Sequence, residues 1–186
     1  MNSFQTDAFG AACGPLLQEL PTPPLGPGVP NGAALDLLRA LTVETVFSEK
    51  SVVDREMALG CLSALWLLHN YLDESHQISQ EIGSASGSYW HGIMHRREPD
   101  FSNSKYWFRR VGEHPIFPDL CKTAAELADS VSGKASYLRD QDRWDPFRFV
   151  DLCQAVIETD SDDERLCEAI ALAEWRLLFA HCYENA

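Results

Sequence analysis

The chain is poor in positive charge. Its 15 lysines and arginines face 28 aspartates and glutamates, for a net charge of −13 over 186 residues. That balance argues against nucleic acid or an anionic membrane surface as a partner, since both require a basic patch. Long apolar runs are missing as well. Nowhere do 18 apolar residues follow one another, so no transmembrane helix is predicted. Residues 1–13 lack the basic and apolar regions of a secretory signal, and the expected location is cytoplasmic.

The six cysteines (Cys13, Cys61, Cys121, Cys153, Cys167 and Cys182) never form a C-x-x-C pair. Most sit beside apolar residues in helix-like segments. They read as reduced, partly buried thiols, not as a disulfide framework or a zinc–thiolate site. The chain also lacks G-x-S-x-G and a glycine-rich phosphate loop, usual marks of serine-based and phosphoryl chemistry. Asp160, Asp162, Asp163 and Glu164 lack the glycine and spacing of a calcium-binding loop and read as a helix start.

Alternating period-2 segments are absent too, and helical patterns fill most of the chain. A composition of 45% apolar and 23% charged residues suffices for one ordinary core. The expected fold is all-α, a single-domain irregular helical bundle spanning residues 32–186. Residues 1–31 are a poor core candidate. "LPTPPLGPGVPNG" holds five prolines and three glycines in thirteen residues. It predicts an extended arm that can lie across the body.

The segment after Asp54, a natural N-cap, runs without proline to about Gln80 and reads as one long helix. "GSASG" at 83–87 reads as a flexible break. Helices are further expected at 33–41, 88–98, from Ser102 or Asn103 to Gly112, at 118–131, and from Asp145 with Pro146 at the first position. The last begins in the acids at 162–164.

On a single helix after Asp54, His69 and His76 share a stripe with Ala58, Leu62, Leu65 and Leu72. Asp73 lies at its edge. A second ladder, His91, His95 and Glu98, follows one side of the next helix. Buried imidazoles need partners: each other, a ligand or a metal. Two histidines four residues apart can reach one ion from adjacent turns. The glutamate of H-E-x-x-H is absent, because Gly92 follows His91. The metal expectation is therefore a divalent ion such as zinc, iron or manganese on His69, Asp73, His76, His91 and His95. The plain alternative is a set of core histidines bonded to neighbouring carbonyls and carboxylates.

Residues 88–112 form a basic and aromatic island. Arg96, Arg97, Lys105, Arg109 and Arg110 against Glu98 and Asp100 give it +3, which leaves −16 on the rest of the −13 chain. Arg96, Arg97, Lys105 and Arg110 suit an anionic group, and Trp107, with Trp90 and Tyr106, offers a flat wall. The same residues could equally tie helices together as ion pairs. His91 or His95 is the acid/base candidate, with Glu98 as the carboxylate beside them. His114 and His181 read as a turn histidine and a core histidine.

Three stretches, "LLHNYLDESHQISQ", "YWHGIMHRREPDFSNSKYWFRRVGEHPIF" and "WDPFRFVDLC…AEWRLLFAHCY", resemble an uncharacterised family of bacterial and fungal proteins. The resemblance covers residues 60–118 and 144–183. It implies no activity, and it places the three pieces in one domain. The functional expectation is a small-molecule protein holding a small anionic ligand in a buried His/Arg/Trp site, as a metal-assisted hydrolase or another enzyme. The alternatives are a non-catalytic interaction module that uses the proline-rich arm, and a purely structural polar network.

Overall fold

The computed structural model describes residues 6–18, 20–129, 131 and 133–186. The described residues form ten α-helices and no strand. They are α1 (Gly10–Leu17), α2 (Leu35–Arg39), α3 (Val43–Val46), α4 (Arg55–Leu68), α5 (Leu72–Ser79), α6 (Ala85–Arg97), α7 (Phe101–Val111), α8 (Phe117–Leu127), α9 (Pro146–Val156) and α10 (Asp162–Asn185). One buried apolar cluster joins them, from Phe9 through Leu65, Phe108 and Phe149 to Phe179. The fold is the all-α, single-domain bundle expected from the sequence. No helix among the described residues is long and apolar enough to cross a membrane. All six cysteines are free and buried.

The helix starts follow local chemistry. Asp54 accepts the Glu56 and Met57 N–H groups at 2.9 and 3.1 Å, and Asp145 accepts those of Phe147 and Arg148 at 2.9 and 3.2 Å. α7 differs from expectation, because its cap is Asp100, which accepts the Asn103 N–H at 3.1 Å. A carboxylate there meets the positive end of the helix dipole, which Ser102 and Asn103 cannot match.

"GSASG" is a break only in part: Gly83 and Ser84 separate α5 from α6, and Ala85–Gly87 already belong to α6. Ser84 caps α6 and Gly87 lies inside its first turn. A Cβ at Gly87 would stand 2.2 Å from Ile82 Cγ2, so this glycine permits the close approach of the preceding loop. Glu56 fastens that loop by accepting the Gly83 and Ser84 N–H groups at 3.3 and 2.9 Å.

The expected long helix after Asp54 is two helices. α4 stops at Leu68, and Asn70 adopts a left-handed φ of 66°. The Tyr71 N–H then donates to Trp66 O and the Asn70 N–H to Leu67 O, at 3.0 and 3.1 Å. These two bonds satisfy carbonyls that a helix end otherwise leaves orphaned, and asparagine tolerates the left-handed turn that permits them. Trp66 and Tyr71 pack edge to face at 5.4 Å across the turn.

That turn holds the proline-rich segment. The Asn31 N–H donates to His69 O at 3.0 Å, Asn70 Nδ2 to Val29 O at 2.8 Å, and Tyr71 Oη to Asn31 O at 3.1 Å. From α6, Arg97 donates to Gly26 O, Pro27 O, Leu67 O and Asn70 Oδ1 at 2.6–3.1 Å. The N-terminal arm is therefore not one extended piece apart from the core. Residues 20–31 are free of helix and strand as expected. By contrast, α1 buries Cys13, Leu16 and Leu17, and Leu25 is buried as well. Apolar side chains at 9, 13, 16 and 17 outweigh the helix-weakening Pro15. Residues 1–5 and 19 of the arm lie outside the described residues.

Every residue of α6 from Ser86 to Arg97 is buried. α7 packs closely on it. Ser104 Oγ donates to Gly92 O at 2.7 Å, and a Cβ at Gly92 would meet the Phe108 ring at 3.1 Å. A polar helix in this position must have its side chains satisfied from its neighbours.

Candidate metal centre

α5 and α6 bring three imidazoles together. His76 on α5 and His91 and His95 on α6 each offer one ring nitrogen, and these nitrogens all lie within 4.8 Å of one another. The His76 ring centroid lies 4.6 Å from that of His91 and 5.3 Å from that of His95, and the last two are 4.7 Å apart. His91 and His95 are buried. His76 is half-buried and leaves its side of the cluster reachable from solvent. A tetrahedral zinc ion bound at 2.0–2.1 Å needs nitrogens about 3.3 Å apart. The three nitrogens lie within 4.8 Å, so holding an ion would require the rings to draw closer.

Hydrogen bonds orient the rings. Ser79 Oγ donates to His76 O at 3.4 Å and lies 3.1 Å from His91 Nδ1. Either the hydroxyl or Nδ1–H is the donor in the shorter contact, so it orients the His91 ring without fixing its tautomer. The Glu98 carboxylate accepts from His95 Nδ1–H at 2.9 Å, which leaves a lone pair on His95 Nε2. A carboxylate on the far nitrogen of a metal-ligating histidine orients the ring and raises its basicity. The Trp107 indole covers His91 at 3.9 Å between centroids, tilted by 38°.

Burial favours the neutral form of His91 and His95. Burial, with His95 and His76 beside it, pushes His91 down to about 3. Burial also lowers His95, against the opposing pull of Glu98. Neutral imidazole is the form that binds a metal. The donor set is all nitrogen, which suits zinc or iron better than oxygen-preferring manganese.

Other expected site residues stand elsewhere. His69 ends α4, where Nε2 meets Leu16 O at 3.1 Å and Nδ1 meets Asn31 Nδ2 at 3.1 Å. The turn at Asn70 removes it from the stripe that leads to His76. Asp73 is exposed and outside the histidine group. Arg96 forms a fully buried ion pair with Glu174 of α10, which also accepts from Tyr89 Oη at 2.9 Å, and its guanidinium lies 4.8 Å from the Phe149 centroid. Arg97 holds the proline-rich segment, and Lys105 pairs with Asp151 of α9. These three cations tie elements together and are not directed at the cluster. Arg110 is different. It is exposed, makes no ion pair among the described residues, and lies 5.1 Å from the Trp107 centroid.

His114 and His181 form a separate pair with centroids 5.0 Å apart, and His114 Nε2 lies 3.0 Å from Ser86 Oγ. A groove of about 700 Å³ beside His181 is lined also by Lys122 and Glu126. At the three-histidine cluster, Trp107 covers the His91 ring.

Two residues of the site escaped the sequence reading. Ser79 follows His76 by three positions and so shares its face, a spacing that could have revealed it. The Asn103 amide lies over the His95 ring, with Nδ2 3.0 Å from Nε2 and 3.4 Å from Nδ1. Only the tight turn at 98–100 brings it there, and no spacing rule within one helix could have pointed to it. Comparison of the chain with family models, with curated proteins and with solved structures gives no match.

Proposed function

We propose that this protein binds a divalent transition metal, zinc or iron, through His76, His91 and His95, and uses it on a small anionic molecule. The observation that carries the reading is the convergence of three imidazoles from two helices, with the Nε2 lone pair of His95 left available by Glu98. Three protein ligands would leave a fourth position for water or substrate, as catalytic zinc centres do. A bound ion would acidify water held there and supply a nucleophile, which would make hydrolysis the reaction class. Arg110, on the Trp107 indole that covers His91, is the cation that would attract the anionic group.

Elemental mass spectrometry of the purified protein tests this reading. Near-stoichiometric zinc or iron is expected, and it should vanish in His76→Ala, His91→Ala and His95→Ala. Absence of metal after reconstitution, with melting unaltered by chelator, would remove the metal from the proposal.

A second reading has its own observation. Trp107 packs on His91, and His91 and His95 already have hydrogen-bond partners, as in a structural polar core. On that reading the same alanine variants lower the melting temperature, and neither metal nor small molecule shifts it.

A further inference from the structure

α5 and α6 are tied together on both sides of His76. At the end of α5, Ser79 Oγ lies 3.1 Å from His91 Nδ1. Just before its start, Asn70 Oδ1 accepts from Arg97 Nη2 at 2.6 Å, and Arg97 is the last residue of α6. α5 therefore runs antiparallel to α6, and His76 stands between the two ties, against His91 and His95. The tie at Asn70 is firmly built. Arg97 is only 4% exposed, and its Nη1 also donates to Leu67 O at 2.8 Å, so it grips both the end of α4 and the turn that follows. Its other donors go to Gly26 O and Pro27 O at 3.1 and 3.0 Å. No carboxylate pairs with this cation among the described residues, and every oxygen it meets is neutral. Burying a cation in this way is costly, and the bonds it makes to the turn fix where α5 begins.

We infer that Asn70 and Arg97 are positioning residues of the metal centre, because their bond holds the start of α5 at the distance from α6 where His76 meets His91 and His95. Neither residue belongs to the group of three imidazoles. Both act through the helix that carries His76. With the tie in place, α5 is already ordered beside α6 before an ion arrives. Without it, the start of the helix gains freedom that binding must remove again, and affinity falls. This inference rests on the metal reading of the three histidines. A merely structural tie would lower the melting temperature and leave the affinity of the folded chain unchanged.

Cobalt(II) is the probe, titrated by its visible absorption well below the melting temperature into wild type, Asn70→Gly, Arg97→Met and Asn70→Asp. Glycine accepts the left-handed φ of 66° at this position and removes only the side chain. Arg97→Met deletes the same tie from the α6 side and serves if Asn70→Gly unfolds the chain. Asn70→Asp keeps an acceptor for Arg97 but loses the amide that donates to Val29 O at 2.8 Å, so it separates the tie to α6 from the tie to the proline-rich segment. Asn70→Gly and Arg97→Met are expected to bind cobalt(II) about three- to thirtyfold more weakly than wild type, the range over which residues that do not touch a ligand change its affinity. Asn70→Asp should match wild type in affinity and in spectrum. If folded Asn70→Gly or Arg97→Met binds as tightly as wild type, the positioning role falls and the metal reading stands. Asn70→Asp as weak as Asn70→Gly also overturns it, because the bond to Val29 would then be what matters. Failure of wild type to bind overturns the metal reading and the positioning role together.

Discussion

Glu98 accepts the Nδ1 proton of His95 at 2.9 Å from the last turn of the same helix. The bond puts the proton of His95 on Nδ1 and leaves the Nε2 lone pair available. Glu98→Gln preserves size and can still accept, but removes the charge that raises the ring's basicity. Metal affinity is expected to fall about tenfold with little loss of stability, because loss of an outer partner costs 10–100-fold. Competition against a chromophoric chelator measures it, and an unchanged affinity would detach Glu98 from the site.

His69 supplies the opposite pattern. It is bonded to Leu16 O and to Asn31, far from the three-histidine group. His69→Ala leaves the buried Leu16 carbonyl without its side-chain donor and is expected to cost about 1–3 kcal/mol in urea unfolding. Metal content should stay at the wild-type level. Loss of metal from a well-folded His69→Ala would show that this residue, too, serves the centre.

The Arg96–Glu174 pair has both side chains almost wholly out of solvent. Arg96→Met strands the Glu174 carboxylate in the core, and about 3–5 kcal/mol of stability should be lost. Arg96→Met/Glu174→Gln removes the stranded charge while leaving an acceptor for Tyr89 Oη. The double variant is expected to recover a large part of the loss. Denaturant midpoints separate the two cases, and a double variant no better than the single one would mean the pair's charge is not what matters.

Acid should unfold the protein in a window set by buried histidines. Burial and the neighbouring His181 push His114 from 6.5 down to about 4, and burial lowers His69 as well. Between those values the unfolded chain binds protons that the folded chain refuses. Stability is therefore complete above pH 6.5 and falls as the pH drops toward 4. Melting temperatures taken from pH 7.5 to 4.5 should decline through this range, and His114→Gln should make the decline shallower. A slope identical to wild type would assign the acid sensitivity to other groups.

Much of the fold was legible because it depends on near neighbours. Asp54 and Asp145 cap the helices assigned to them, since a cap bonds to N–H groups two and three positions on. The misread boundary at Asn70 also had a local signal, an asparagine that tolerates the left-handed turn after a helix end. The role of Gly87 had none. Its need for glycine comes from the Ile82 side chain folded against it, a contact that composition alone mistakes for flexibility.

The sequence by itself determined that the chain is helical and acidic, where most helices begin, and that His91 and His95 share one face. Those properties arise from charge, hydropathy and spacing along a single rod. Only the tertiary structure decided which groups meet. The turn at Asn70 sends His69 to the N-terminal segment and brings His76 to the other two imidazoles. Packing draws Arg96 and Arg97 inward to Glu174 and to backbone carbonyls. Such contacts join residues tens of positions apart, so they depend on how the rods are placed against one another, which no local pattern encodes.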